Sequence, residues 1–214
     1  ATPGADPGSA PRHRGPAPPR GGRGVVSCLL AFLAAMSLVA LSQHIAVLWV
    51  GIESTTLSVA PLIYHRNDRR SLEAVWKYLV LSSVGIALAL LAVFLLATAQ
   101  PSVAGLRPLM LPDLLAGAGQ LDAWWLRAAF VFALVGFGTK MGLAPLHTWK
   151  PDTYGEAPSL VGGLMAGGLT TCACLGLARF TQIAIAAGLA EFVRPHIIAF
   201  GLFSLVVAAA CLLG

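Results

Sequence analysis

The stretch Val135-Gly136-Phe137-Gly138-Thr139-Lys140-Met141-Gly142-Leu143-Ala144-Pro145 decides how this chain folds. It closes an apolar run, Ala123–Leu146, long enough to cross about 30 Å of hydrocarbon as a helix. Gly136, Gly138, Gly142 and Pro145 interrupt that run. In membranes, broken helices occur where backbone lines a cavity or meets protein. Lys140 stands at the break, too deep to reach water easily. A buried amine there reads as a functional group; a lysine that snorkels to the nearer interface is the plainer alternative.

Working outward, five more apolar runs appear: Val25–Leu41, Ile45–Ile63, Tyr78–Thr98, Ser159–Ala178 and Ile197–Gly214. The composition agrees, with 57% hydrophobic and 11% charged residues, against roughly 25% charged in a soluble domain. These figures exclude a soluble enzyme, a disordered chain and a disulfide-rich module. No run of short alternating strands suggests a barrel. The expected fold is all-α, a polytopic membrane helix bundle of about six transmembrane helices. Residues 1–24 hold six prolines, six glycines and four arginines and read as a disordered tail, leaving 25–214 as the transmembrane domain. Val25–Leu41 has 17 residues, more than the ~7–15 of a signal-peptide core, so it reads as a span and not a leader.

The net charge of +5 is unevenly placed. Arg12, Arg14, Arg20 and Arg23 precede the first run, and Arg66, Arg69 and Arg70 follow the second. Both clusters fit the cytoplasmic side of a cell's inner (cytoplasmic) membrane, with His147–Pro158 on that side and Trp124 and Trp125 at the opposite interface. No nucleic-acid motif is present, so the expected surroundings are the lipid bilayer and other membrane subunits. Cys28, Cys172, Cys174 and Cys211 lie in apolar runs without metal-ligand spacing and read as small buried residues. No metal or other cofactor is expected.

Glu53, near the middle of Ile45–Ile63, is the second misplaced charge. A carboxylate at that depth needs a partner or a proton. It is either a neutral acid bonded to a neighbouring helix or a proton site, and the hydroxyls of Ser54, Thr55 and Thr56 beside it favour the second. Lys77 beside Trp76 and Tyr78 is an interfacial anchor or a secondary relay group. His147 is a packed loop histidine or a proton shuttle, forming with Lys150, Asp152 and Glu156 a polar mouth past the break. His44, Arg179 and Arg194 read as boundary charges.

The segment Lys140–Asp152, continuing to Glu156-Ala157-Pro158, resembles the antiporter-like proton-translocating subunits of respiratory complex I, Mrp antiporters and membrane-bound hydrogenases. Trp49–Leu57, Ala60–Tyr64, Arg70–Leu79 and Ser83–Leu90 agree, most of all with the hydrogenase-4 component F branch. The resemblance implies that Glu53 and Lys140 form the family's ion pair; His147 and Lys77 stay secondary candidates on the reading of the residues alone. It also implies partners among the membrane subunits of a hydrogenase or complex I-like assembly. It places Thr171 where some members carry a further lysine, and Lys150 where the family usually has leucine. The chain would match one five-helix repeat, helices four to eight, of a two-repeat fold, and so a fragment or split gene. The expected function is proton translocation through a Glu–Lys relay. A cation/proton antiporter subunit and a non-translocating structural fragment are the alternatives.

Overall fold

A computed structural model describes residues 22–64, 68–101 and 108–213. Most of the basic tail, and Arg66, lie outside the described residues. The helices are α1 Gly22–Leu41, α2 Ile45–Ile63, α3 Arg69–Thr98, α4 Leu111–Ala116, α5 Ala123–Met141, α6 Trp149–Glu156, α7 Ser159–Leu164, α8 Thr170–Ala186 and α9 Ala190–Leu213. A π-helical segment, Met165–Leu169, joins α7 to α8. No named strand occurs among the described residues.

Several boundaries correct the sequence reading. The first helix starts at Gly22, ahead of Val25. The third starts at Arg69, not Tyr78, because Asp68 and Ser71 form a capping box: Ser71 N donates to Asp68 Oδ1 at 2.7 Å, and Asp68 N to Ser71 Oγ at 3.3 Å. Its 30 residues span about 45 Å and so extend past the hydrocarbon. The fourth expected span ends at Met141, not Leu146. Gly142 closes it with φ 73°, in the left-handed region that suits glycine. The stretch to Pro158 then forms α6, and the fifth span continues to Ala186, enclosing Arg179.

Five stretches are long and apolar enough to cross a membrane, those of α1, α2, α3, α7 through α8, and α9. The fourth expected span, α5, has the length at 19 residues, but Arg127 and Lys140 dilute its apolarity. It packs against α3 and α8.

The bundle has two ends. At one, Ile45 N donates to Leu109 O at 2.9 Å, Leu111 N to Gln43 O at 2.8 Å and Asp122 N to Ala99 O at 2.8 Å. Asp122 also caps α5 by accepting from Trp124 N and Trp125 N. At the other end, Lys77 binds Asp152 at 2.8 Å, tying α3 to α6.

Two apolar cores divide the interior. One gathers Leu48 and Ile52 of α2, Ile86 and Ala89 of α3, Phe130 and Phe137 of α5, and Cys172 and Phe180 of α8. The other gathers Val59 and Ile63, Ala74 and Tyr78, Trp149, and Met165 and Leu169. Polar residues lie between the two cores on three helices, Thr56 on α2, Ser82 on α3 and Thr170 on α8, and Lys140 near the end of α5 reaches Thr56 and Ser82.

Candidate functional site

Lys140 is fully buried in the last turn of α5. The negative end of the helix dipole favours a cation there. Its Nζ donates to Thr56 Oγ1 and, at 2.5 Å, to Ser82 Oγ; both hydroxyls are fully buried. Nζ also lies 5.5 Å from the centre of the Tyr78 ring. These contacts replace part of the hydration lost on burial, and a buried ammonium left without such partners costs several kcal/mol.

Thr56 links the lysine to the carboxylate. Its Oγ1 accepts from Lys140 and has two acceptors in reach for its own proton, Glu53 Oε2 at 3.3 Å and Ile52 O at 3.4 Å. Glu53 is half-buried and interacts electrostatically with Lys140. The other two hydroxyls beside Glu53 do not take part, since Ser54 Oγ binds Val50 O at 2.8 Å and Thr55 Oγ1 binds Ile52 O at 2.6 Å. The expected pair is therefore joined through one hydroxyl. Ser82, Tyr78 and Trp149 belong to the site without having been singled out. Periodicity from Lys77 does not mark Ser82 as different from Ser83, its neighbour.

Trp149 is fully buried beneath the lysine. Its Nε1 donates to Thr139 O at 2.9 Å, and its ring meets Tyr78 with centroids 5.3 Å apart. His147 is half-buried past the break and lies outside this hydrogen-bonded group. Its Nδ1 is buried without a hydrogen-bond partner among the described residues. Lys77 is held by Glu73 and Asp152, each at 2.8 Å, with 43% of its side chain exposed.

Two of the three expected boundary charges read differently in the fold. Arg179 is only 5% exposed, and its guanidinium donates to Ser42 O. His44 caps α2, its Nδ1 accepting from Ala46 N at 3.2 Å. Arg194 is exposed, as a boundary charge should be. Thr171 is exposed and donates to Gly167 O, across the π-helical turn. Cys172 is buried, but Cys174 and Cys211 are exposed, which corrects the expectation of four buried thiols. Among the described residues no three His, Cys, Asp or Glu side chains gather as a metal site.

The class is thus a multi-pass helical membrane protein with a buried lysine at a broken helix. The chain belongs to the NADH:quinone oxidoreductase/Mrp antiporter transmembrane family, which matches residues 42–213. It is 38% identical over 181 residues to a hydrogenase-4 component F homolog of Methylacidiphilum infernorum, covering 84% of this chain and 38% of that protein. It is 32% identical over 153 residues to NADH-quinone oxidoreductase subunit N of Deinococcus radiodurans, covering 71% of this chain and 30% of that one. Its fold matches a chain of respiratory complex I from Thermus thermophilus with a TM-score of 0.63 and 28% identity, over 75% of this chain and 35% of that chain. The chain spans less than two fifths of the length of each of these proteins.

Proposed function

We propose that this chain is the proton-translocating part of a membrane subunit in a hydrogenase-4 or NADH:quinone oxidoreductase-like complex of the cytoplasmic membrane. Protons move through Lys140 under the control of Glu53. The observation that supports this most is the double role of Thr56, whose hydroxyl accepts from Lys140 and has Glu53 in reach for its own proton. Burial disfavours an ammonium, and a nearby carboxylate favours it. A motion that brings Glu53 towards Lys140 loads the proton, and one that draws it away releases the proton. Redox chemistry in other subunits supplies the motion, and this chain itself carries none. His147 is the secondary candidate beyond the break. Lys77 is better assigned to the tether between α3 and α6, since two carboxylates hold its ammonium at the surface.

The test is Glu53→Gln and Lys140→Ala, made singly in the full-length subunit within its complex. Inside-out membrane vesicles are driven by the redox reaction, and proton uptake is followed with a pH-sensitive dye. Uptake is expected to fall at least tenfold in each variant while the complex still assembles. Undiminished uptake in both rejects the relay. A signal that depends on sodium would move the assignment to cation/proton exchange.

A further inference from the structure

A second lysine sits on the same break. Lys150, in the first turn of α6, folds its side chain back over Gly142. A β-carbon at position 142 would lie 2.5 Å from both Lys150 Cδ and Cε and 3.0 Å from Nζ. Glycine is needed there for φ 73°, and the flexible Lys150 stem occupies the space its missing side chain leaves. Lys150 Nζ lies 5.9 Å from the Trp149 ring centre and 6.0 Å from that of Tyr154. Trp149 in turn meets Tyr78, the ring on which Lys140 rests. The two amines therefore lie against the two rings of one aromatic pair, Lys140 at Tyr78 and Lys150 at Trp149.

The surroundings of Lys150 suit a group that gives up its proton. Unlike Lys77, it pairs with no carboxylate among the described residues. The Tyr154 phenol beside it is held by burial above its ordinary value and is therefore neutral. Burial also pushes the Lys150 amine below the ordinary lysine value. One side opens on a groove of about 400 Å³ lined by Lys150, Pro151, Tyr154, Ala166 and Thr170. Thr170 is the residue at which the boundary between the two apolar cores reaches α8.

We propose that Lys150 is a second protonatable station of this chain, taking up the proton released at the broken helix and passing it into the groove at Thr170. This rests on the Glu53–Lys140 reading. The step is a proton transfer alone. The amine becomes an ammonium and returns the proton to water in the groove, with no electron moved.

Lys150→Leu and Lys150→Arg separate this role from packing. Both are made in the full-length subunit in its complex, beside Glu53→Gln and Lys140→Ala. Lys150→Leu is expected to lower proton uptake at least fivefold. Lys150→Arg should fail to restore it, because a guanidinium does not release its proton near neutral pH. Wild-type uptake in Lys150→Leu, or full rescue by Lys150→Arg, overturns the proposal. If Glu53→Gln and Lys140→Ala are inactive while Lys150→Leu pumps normally, only the Lys150 station falls. If those two variants pump normally, the primary relay falls and the station with it. Should Lys150→Leu fail to assemble, competitive acylation of the wild-type complex across pH decides the question. Lys150 must titrate below Lys77, and an ordinary lysine titration at position 150 overturns the proposal.

Discussion

Gly136→Ala should force α3 and α5 apart where their backbones meet. A β-carbon at position 136 would lie 2.6 Å from Ala89 N, 2.7 Å from Gly85 O and 2.9 Å from Ala89 Cα. Carbon contacts settle near ~3.5–4.0 Å, so α3 has to retreat by about 1 Å. The opposing atoms are backbone and cannot swing aside, which puts the cost in the overpacking range of ~1–3 kcal/mol. The retreat also reaches the site. Lys140 lies one turn further along α5, and its 2.5 Å contact with Ser82 on α3 opens to the outer limit of a hydrogen bond. Stability and proton uptake should therefore fall together. Gly155→Ala is the control, since nothing lies within 4 Å of its β-carbon. There alanine should be neutral or stabilise by ~0.5–1 kcal/mol through lower chain entropy in the unfolded state. The assay is thermal denaturation of the detergent-solubilised full-length protein, followed by loss of the monodisperse peak, with vesicle proton uptake alongside. The reasoning fails if Gly136→Ala melts with the wild type, or if Gly155→Ala is the more damaging change.

Three further outcomes follow from named contacts. Trp149→Phe keeps the ring against Tyr78 but removes the 2.9 Å bond to Thr139 O. Thr139 O keeps Gly142 N as a donor, so the loss should cost about 0.5–1.5 kcal/mol, the net worth of one hydrogen bond, and speed proteolysis in 142–148. Lys77→Met and Asp152→Asn should show a thermal-stability coupling of no more than ~1 kcal/mol that vanishes in high salt, because both side chains are substantially exposed. Arg179→Met should destabilise by ~1–3 kcal/mol through the Ser42 carbonyl it leaves, whereas Arg194→Met on the exposed face should stay within about 0.5 kcal/mol in the same melts.

The spans and the break were legible because both are local. Apolar runs mark the bilayer, and Gly142 and Pro145 mark the end of α5. The start of α3 was hidden by its own composition. Arg69, Arg70, Glu73 and Lys77 are good helix formers that hydropathy counts as loop, and Asp68-x-x-Ser71 was the signal that announced the helix. Glu53 and Lys140 stood out because ionisable groups are costly in an apolar run. Ser82 and Tyr78 could not be picked out, since a serine in a membrane helix is unremarkable until its neighbour across the interface is known. Arg179 misled for the opposite reason. Its charge suggested a boundary, but the turn at Ser42 offers a carbonyl that lets the guanidinium stay inside.

The break is what buries the lysine. Ten residues of continuous helix would carry residue 149 about 15 Å beyond residue 139 along the axis. Instead Gly142 turns the chain with φ 73°, and Leu143 N and Gly142 N return to Gly138 O and Thr139 O at 2.9 and 3.1 Å. The chain then doubles back, so that Trp149 reaches Thr139 O and fills the second apolar core with Tyr78. A straight helix would leave that core without its indole and leave Lys140 open to water from that end. Closing the core over the lysine makes its protonation depend on the few groups that touch it: Thr56, Ser82 and, through Thr56, Glu53. The same turn lays Lys150 across Gly142. A β-carbon at position 142 should therefore strain the turn that follows Lys140 and push the Lys150 stem aside.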